Sequence, residues 1–453
     1  MVRKISLLTL LSYFSLSMQA QTNPAILSWL QNNSVLGSYY MQGNSVALSN
    51  NTLVNVQTVQ YSANWVYVST QGIPSYPTGP FLDGNPSQAT ARNAIFKIPL
   101  NPVQNPGTPT NTSPGNIGIF VNGVALFDYR DGVSWKNSTN SLAGGPGGGM
   151  GDNVWNRDAI VAERAGFDCS KGHPAMGNYH HHQNPSAFKL DLVVISNICN
   201  LYDADGLYVI DSTQHSPLIG FAYDGFPIYG AYAFKEVNGT GAIVRMQSSY
   251  QLRNITTRTT YANGSTVTPG PPVSSTYPLG YFREDYEYIA HPSEPEFLDE
   301  HNGRFCITPE YPAGTYAYFC TVNENWNSAY PYAVGPTFYG TKVASSVTSI
   351  TEAVTQYSPV TSSISESDFE ELNVSVYPNP AGDLIAVQIK GLLKEDLIVK
   401  LFDLSGKLIA ESGITKGSTI AYFDTRTYYS GMYLLKVSKG DMELSRKVSI
   451  NRN

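Results

Sequence analysis

Charge is scarce in this chain. Asp, Glu, Lys and Arg make up 14% of its 453 residues, the formal net charge is −7, and the 28 basic residues are scattered along the sequence. A nucleic-acid partner is therefore not expected, because phosphate binding needs basic side chains gathered on one surface. Tyrosine and glycine are plentiful instead, with 31 and 39 residues, a composition typical of β-rich extracellular proteins.

Long apolar runs are missing apart from one near the amino end. The chain starts with Met-Val-Arg-Lys, continues with an apolar stretch from Ile5 to about Ser17, and has the small residue Ala20 shortly after. This combination predicts a secretory signal peptide over residues 1–20. No other run approaches the ~18 apolar residues of a membrane-spanning helix, so no transmembrane segment is expected in the mature protein.

Cysteine is rare as well. Cys169, Cys199, Cys306 and Cys320 form an even number in a chain expected to be exported, which allows three pairings. The sequence favours Cys169 with Cys199 and Cys306 with Cys320, because the second pair brackets a stretch, residues 308–314, that is typical of a hairpin turn. A free thiol acting as a nucleophile is disfavoured because no activating partner is evident.

Common catalytic signatures are also missing. No serine lies in a Gly-x-Ser-x-Gly elbow, and the sequence has no His-Glu-x-x-His motif. The glycine-rich stretch 143–149 lacks the following Lys-Ser/Thr pair of a phosphate-binding loop, so it indicates a flexible surface loop. These absences disfavour a serine hydrolase and the common type of metalloprotease.

The hydrophobic pattern predicts mainly β structure. Residues 54–61 and 65–69 alternate between apolar and polar, and Asn122-Gly123 and Asp224-Gly225 are two-residue turns between apolar runs. Trp155 to Phe167 is the one convincing helix of this region. We expect one large antiparallel β domain with few short helices over residues 21–340, because no linker separates its first strands from the rest.

The composition changes towards the carboxyl end. Residues 341–371 are rich in Ser, Thr, Val and acidic side chains, which predicts a linker. Strand patterns return after it, and residues 372–453 are predicted to form a small β-sandwich of six or seven strands. This segment contains no histidine or cysteine, so no chemistry is assigned to it.

Four of the seven histidines lie between residues 173 and 182. If residues 179–182 are extended, His180 and His182 project from one face and His181 from the other. This spacing suits two neutral imidazoles that share a metal ion at bonds of roughly 2 Å. A hydrogen-bonded structural cluster is the alternative interpretation.

A second group of polar residues lies farther along the chain. Asp299, Glu300 and His301 form one tight polar turn, and His215 stands at the entrance of the Asp224-Gly225 hairpin. A carboxylate in this turn could bind a metal, act as a general base or orient a ligand histidine. The alternative is a turn stabilised by its own side chains.

Three blocks near the carboxyl end carry a resemblance to a known domain. They are residues 377–380 (Tyr-Pro-Asn-Pro), residues 402–407 and residues 431–437. They resemble the C-terminal sorting domain of the Bacteroidetes type IX secretion system. The resemblance implies general export across the inner membrane, the type IX machinery as a partner, removal of the domain, and an extracellular or outer-membrane-surface location.

A second set of motifs lies between residues 115 and 340. It comprises residues 172–174, 179–182, 215–217, 220–230, 284–288 and 298–304. The set resembles the YHYH domain family, whose biochemical activity is unsettled. His181 stands where the family motif has tyrosine, but alternation turns it away from His180 and His182. Five of the seven histidines fall in these motifs, which favours a metal site over a hydrogen-bonded cluster.

The leading hypothesis is therefore a mononuclear zinc or copper site, since neutral imidazoles without a ligand thiolate suit these ions. His180 and His182 would bind the ion together with His215 or His301. Asp299 or Glu300 would supply a carboxylate, either as a ligand or in contact with a ligand. His173, Asp224 and Asp285 are expected to lie behind the ligands and to orient them. In the enzyme version, an open metal position activates water for hydrolysis of an extracellular polymer or ester, with Glu300 as the candidate base.

Two other classes of function compete with it. The first is an extracellular binding or adhesion module without turnover, in which Trp326, Tyr330 and Tyr332 form a platform for sugars, because aromatic faces suit the apolar faces of sugars. Ordinary core and edge aromatics are the favoured interpretation of these residues. The second is a purely structural histidine cluster that binds no metal.

Overall fold

The computed structural model describes residues 23–82, 88–145, 149–194, 196–200, 206–358, 374–389, 396–403, 406–439 and 442–451. The predicted signal peptide and residues 359–371 of the predicted linker lie outside them. The chain forms two compact units, Met1–Tyr357 and Ser358–Asn453, which are described separately. Within the described part, no helix has the length and apolar character needed to cross a membrane.

Strands provide most of the regular structure of the first unit. The first eleven are β1 (Leu36–Tyr39), β2 (Leu48–Leu53), β3 (Val56–Tyr61), β4 (Trp65–Thr70), β5 (Ala94–Pro99), β6 (Thr110–Asn111), β7 (Asn116–Phe120), β8 (Ala125–Phe127), β9 (Arg130–Lys136), β10 (Ser141–Gly144) and β11 (Asn156–Asp158). The next thirteen are β12 (Gly172–Ala175), β13 (Asn178–His181), β14 (Leu218–Ala222), β15 (Pro227–Tyr229), β16 (Tyr232–Phe234), β17 (Ile243–Arg245), β18 (Tyr250–Leu252), β19 (Tyr286–Tyr288), β20 (Gly303–Cys306), β21 (Thr315–Phe319), β22 (Thr337–Phe338), β23 (Ser345–Val347) and β24 (Thr355–Tyr357). The predicted mainly β fold is confirmed.

Two large sheets organise these strands. An eight-stranded sheet has the order β12-β13-β8-β7-β14-β15-β21-β20, and a five-stranded sheet has the order β23-β5-β4-β3-β24. The pairs β13/β8 and β15/β21 are parallel, whereas the other pairs of the large sheet are antiparallel. The hairpins predicted at Asn122-Gly123 and Asp224-Gly225 are confirmed as β7/β8 and β14/β15.

Helices are few and short among the described residues. The α-helices are α1 (Pro24–Leu27) and α2 (Ala159–Glu163), and the 3-10 turns are Asn137–Thr139, Arg164–Gly166, Phe188–Leu190, Asn197–Asn200 and Arg283–Asp285. The helix predicted over Trp155–Phe167 is shorter because β11 occupies its first turn. The Asp158 carboxylate then caps α2 by accepting the backbone N–H groups of Ile160 and Val161.

One hydrophobic core joins the two large sheets. It contains Val68 and Ile98 of the five-stranded sheet together with Phe120 and Tyr318 of the eight-stranded sheet. Each of these side chains is fully or almost fully buried. The first strands of the chain therefore share a core with the sheet that carries the histidines.

The predicted linker at residues 341–371 begins too early. β23 pairs with β5 and β24 pairs with β3, so residues 345–357 supply both edge strands of the five-stranded sheet. Ala344 is buried and donates its N–H to the Tyr223 carbonyl. The Ser/Thr-rich composition misled the prediction, because both edge strands have only three residues, two of them exposed, and so carry no apolar alternation.

The cysteine pairing matches the expectation for one pair only. Cys169 and Cys199 form a disulfide with a Cα–Cα distance of 5.1 Å, whereas Cys306 and Cys320 are buried free thiols. The second predicted pairing is wrong because Cys306 lies opposite Thr315 in the β20/β21 hairpin. At ~3.3 Å per residue, Cys320 lies well beyond the ~7 Å limit for a disulfide.

The second unit is the predicted small β-sandwich. Its strands are β25 (Ser375–Tyr377), β26 (Leu384–Gln388), β27 (Leu397–Asp403), β28 (Leu408–Ile414), β29 (Ile420–Asp424), β30 (Gly431–Lys439) and β31 (Met442–Ile450). They form the sheets β25-β26-β29 and β28-β27-β30-β31. Ile385, Val399 and Leu435 belong to their common core.

Candidate metal centre

The histidine site is built on the hairpin β12/β13 at one edge of the eight-stranded sheet. Its two-residue loop is Met176-Gly177, with φ angles of 50° and 82°, the left-handed pair that a type I′ turn requires. A Cβ at Gly177 would lie 2.2 Å from Thr90 Oγ1, so only glycine fits there. This turn sets the register in which His173 lies opposite His180.

Three imidazoles consequently meet on one face of the hairpin. His180 Nε2 lies 3.1 Å from His182 Nε2, and His173 Nε2 lies 3.4 Å from His182 Nε2. One nitrogen from each of the three side chains falls within 4.8 Å of the others, and all three residues are buried. Buried imidazoles that converge in this way offer a set of nitrogen donors for one ion.

Backbone carbonyls orient two of the rings. His180 Nδ1 lies 2.8 Å from the Asn178 carbonyl, and His182 Nδ1 lies 2.6 Å from the Asp128 carbonyl. Because a carbonyl can only accept, each Nδ1 carries the proton and each Nε2 presents a lone pair. This pattern is usual for metal-binding histidines.

Glu163, the last residue of α2, adds a carboxylate to the group. Its Oε2 lies 3.3 Å from His173 Nε2 and 3.2 Å from His182 Nε2. Despite these short distances, Oε2 has no hydrogen bond of acceptable direction. The Glu163 oxygen therefore faces two imidazoles without a directed hydrogen bond, whereas His182 Nε2 lies in hydrogen-bonding geometry with both His173 Nε2 and His180 Nε2.

The separations fit a shared ion. Four of the six separations among these atoms run from 3.1 to 3.4 Å, and the three histidine nitrogens lie within 4.8 Å of one another. A tetrahedron with bonds of 2.0–2.1 Å has edges of roughly 3.3–3.4 Å. Sequence reasoning did not include Glu163 in this group and placed His173 behind the expected ligands. The signal for His173 was available, because the Met176-Gly177 turn fixes the register.

Burial and neighbouring charges shift the pKa values of this group in different directions. Burial lowers the pKa of His180 well below its usual value, and the neighbouring His173 and His182 lower it further. Burial also lowers the pKa of His182, but the Glu163 carboxylate outweighs this effect and raises it. Burial would raise the Glu163 pKa, yet the His173 and His182 imidazoles hold it below its ordinary value. The site thus combines a neutral imidazole with a carboxylate that stays ionised.

Aromatic rings enclose the imidazoles. Phe127 stacks on His180 with ring centroids 3.8 Å apart, and Phe167 meets His173 edge-on at 4.9 Å. The Glu163 side chain is 27% exposed, against 3% for His182. The site therefore opens to solvent on its Glu163 side.

The opposite face of β13 is separate from this site, as alternation predicts. His181 Nε2 lies 2.7 Å from the Tyr76 hydroxyl, and the Tyr179 hydroxyl donates to Asp168 at 2.8 Å. Burial lowers the His181 pKa to about 3. The departure from the family motif at His181 therefore falls outside the convergent set.

The structure does not bring the other predicted residues into this set. His215 packs against Tyr229 and Phe234, and its Nδ1 bonds to the Ser216 carbonyl. The remaining residues bind local partners, which keeps them in other places: His301 to Thr337, Asp299 to Tyr316, Asp224 to Tyr318 and Asp285 to Arg258. Glu300, the predicted base, is half exposed with Oε1 3.8 Å from His301 Nε2.

The predicted aromatic platform for sugars is not displayed on the surface. Tyr330 and Tyr332 are buried in a cluster with Tyr129. Trp326 is half-buried against Tyr232, with ring centroids 5.4 Å apart. Tyr330 and Tyr332 are core residues, so a sugar site would have to lie elsewhere.

Fold and site together define a mainly β protein with a buried histidine cluster that is accessible to solvent beside the Glu163 carboxylate. Comparison with known families then places the chain: residues 95–331, more than half of it, match the family described as YHYH protein. The chain belongs to this family. Residues 375–451 match the secretion system C-terminal sorting domain.

Other comparisons add little. No curated protein matches the chain. A solved structure of a DUF3244 family protein with an immunoglobulin-like β-sandwich fold, from Bacteroides vulgatus, is similar at 13% identity over 18% of this chain and 88% of that chain. Its TM-score of 0.16 is too low to bear on the fold.

The sorting domain locates the protein. Its presence indicates handling by the type IX secretion system and delivery to the extracellular or cell-surface space. The cysteine chemistry agrees with this location, because the Cys169–Cys199 disulfide persists in oxidising compartments.

Proposed function

We propose that the exported domain binds one zinc or copper ion through His173, His180 and His182, with Glu163 as the carboxylate ligand. The observation that carries the proposal is the set of four donor separations between 3.1 and 3.4 Å. Oriented Nε2 lone pairs and a carboxylate oxygen without a directed hydrogen bond support it.

The donor set selects the class of ion. Three imidazole nitrogens and one carboxylate oxygen suit zinc or copper, whereas calcium and magnesium prefer oxygen ligands throughout. The free thiols Cys306 and Cys320 do not join the group. Copper(I), which favours sulfur ligands, is thereby the least suited of these ions.

The hydrolytic version of this function depends on Glu163. A bound zinc ion supplies Lewis acidity and lowers the pKa of a bound water. Glu163 is the partly exposed carboxylate at the site, whereas Glu300 lies beside His301. Action on an extracellular polymer or ester would need three histidine ligands with water in the fourth position, so Glu163 would leave the ion and take the role of base predicted for Glu300.

Elemental analysis of the untagged protein, purified after export, tests metal binding. The comparison is wild type, the His180→Ala/His182→Ala double variant, and His291→Ala as a control for histidine loss outside the cluster, where His291 pairs with Glu294. We expect about one zinc or copper per chain in wild type and control, and none in the double variant. Protein that stays metal-free after incubation with each ion would sink the proposal.

A second comparison tests the carboxylate. Glu163→Gln keeps the size of the side chain but removes the charge, so affinity should fall roughly 10- to 100-fold in competition with a chelating dye, as for other groups that tune a metal site. Glu294→Gln, a glutamate beside a different histidine, should bind like wild type. Unchanged affinity in Glu163→Gln would reduce the ligand set to the three histidines.

A further inference from the structure

A cavity lies at the opposite edge of the eight-stranded sheet from the histidine hairpin. It has a volume of about 890 Å³ and is bordered by the edge strand β20, by the start of β21 and by the segments around Pro24 and residues 100–104. Its size is at the upper end of the roughly 300–1,000 Å³ found for small-molecule sites. None of the histidine cluster lines it.

The lining is uncharged but not apolar throughout. No Asp, Glu, Lys, Arg or His contributes to the wall among the described residues. Amide side chains come from Asn23, Asn101 and Gln104, and Thr315 adds a hydroxyl. A charged ligand would remain unpaired here at high cost. The Asn23 amide is already paired with the Leu100 carbonyl and the Ala25 N–H, which leaves Asn101 and Gln104 as the exposed amides of the lining.

Phe305 marks the mouth of this cavity. Its side chain is 62% exposed, and it is the one exposed aromatic side chain among the described residues of the first unit. The ring rests on Gly314, where a Cβ would lie 2.9 Å from Phe305 Cε1. The ring is therefore held in place from below, and an exposed aromatic in a fixed position is a surface suited to a ligand.

Two further rings form a rigid wall beside it. Tyr316 lies opposite Phe305 on the neighbouring strand and stacks on Tyr339, with centroids 3.6 Å apart and planes 3° apart. The Tyr316 hydroxyl donates to both carboxylate oxygens of Asp299, at 2.8 and 3.0 Å. Asp299 thus fixes an aromatic wall of the cavity, which gives this motif residue a role other than metal binding.

We propose that this cavity binds a neutral oligosaccharide. Sugar rings present apolar C–H faces, which Phe305 and Tyr339 would cover, and hydroxyl groups, which the amides of Asn101 and Gln104 would bind. A mixed aromatic and amide lining without charge matches that chemistry, and the volume accommodates more than one sugar ring. This binding is independent of the proposed metal site.

The test is binding of the mature protein to a microarray of neutral and acidic glycans, followed by calorimetry with the neutral hexaoses cellohexaose, maltohexaose, mannohexaose and xylohexaose. Wild type should bind at least one neutral glycan. Phe305→Ala should weaken it about tenfold, equivalent to roughly 1.4 kcal/mol, whereas Phe305→Tyr, which keeps the ring, should bind like wild type. Phe305 is exposed, so both variants should fold normally.

Three results would overturn the proposal: no neutral glycan retained by wild type, equal binding by Phe305→Ala, or retention of acidic glycans alone. The His180→Ala/His182→Ala variant separates the two proposals. It should lose metal but bind the glycan as wild type does. Loss of glycan binding in that variant would place the sugar at the metal site and refute the cavity.

Discussion

Buried aspartates paired with tyrosines recur through the first unit. In each pair a tyrosine hydroxyl donates to the carboxylate at 2.6–2.8 Å, and the pairs are Tyr318 with Asp224, Tyr332 with Asp158, Tyr179 with Asp168 and Tyr316 with Asp299. Burial raises the pKa of Asp158 and Asp168 to about 7 and that of Asp224 to about 6. These pairs explain part of the high tyrosine content in structural terms.

Asp224→Asn should change how stability depends on pH. The folded pKa of Asp224, about 6, lies above the ordinary value near 3.9, so the folded state binds the proton more tightly than the unfolded state. Its contribution to stability is full below pH ~4 and is lost as the pH rises through 6. The stability of wild type relative to Asp224→Asn should therefore fall between pH 4.5 and 7.5, as measured by urea unfolding.

A surface aspartate provides the control for this comparison. Asp211 is exposed, and its hydrogen bonds with Thr213 lower its pKa. Titration of Asp211 should change stability only below pH 4. The difference in free energy of unfolding between wild type and Asp211→Asn should therefore stay constant between pH 4.5 and 7.5. A stability of wild type relative to Asp224→Asn that stays constant or rises between pH 4.5 and 7.5 would contradict the prediction.

At the scale of elements, the hairpin β12/β13 shows what alternation can and cannot predict. Alternation along one strand correctly placed His180 and His182 together and His181 opposite. It could not place His173, because that residue joins the group through register with the neighbouring strand. Glu163 was harder still, since its position depends on where Asp158 starts α2.

The predicted sites at His215 and His301 failed for a related reason. Residue type and motif order indicated metal ligands, but each imidazole has a local oxygen partner, Ser216 or Thr337. The separation of His215 and His301 from the hairpin along the sequence did not show whether their segments contact it in the fold. A turn that fixes register was the one local signal that could have corrected the assignment.

Reduction of the Cys169–Cys199 disulfide should loosen this hairpin. The bridge closes a loop with a sequence separation of 30, which contains all three convergent histidines. A loop of that size is worth roughly 3–4 kcal/mol in the unfolded chain. Dithiothreitol should lower the free energy of unfolding by that order and weaken metal binding, as measured by urea unfolding and by dye competition.

Cysteine variants supply the controls. Cys169→Ser/Cys199→Ser should not respond to dithiothreitol, whereas Cys306→Ala/Cys320→Ala should respond as wild type does. Denatured, unreduced wild type should show two reactive thiols, from the free pair. A count of zero would mean that Cys306 and Cys320 are also bridged and would contradict the structure.

At the scale of the whole first unit, residues 345–357 complete the five-stranded sheet. A chain that ends at residue 340 lacks β23 and β24, and with them the hydrogen bond between Tyr67 and Glu352. Both β3 and β5 would then have an unpaired edge, which favours aggregation. We expect a lower melting temperature and association on size exclusion for this truncation, compared with a chain that ends at residue 358.

Equal melting temperatures for the two truncations would show that the edge strands add nothing, contrary to this prediction. The comparison also marks where composition failed as a guide. Ser, Thr and Val between residues 341 and 357 are typical of a linker, yet Val and Thr are also good strand residues. Only the pairing of these residues with β3 and β5 shows that they form strands and not a linker.

The position of these edge strands also sets an order of events in time. The chain is synthesised from its amino end, so β3, β4 and β5 are made long before residues 345–357, which pair with their outer edges. Until then the sheet has two open edges, a condition that invites wrong pairing. Of the two large sheets, the one that begins to form first is therefore the last to be completed, just before the sorting domain follows.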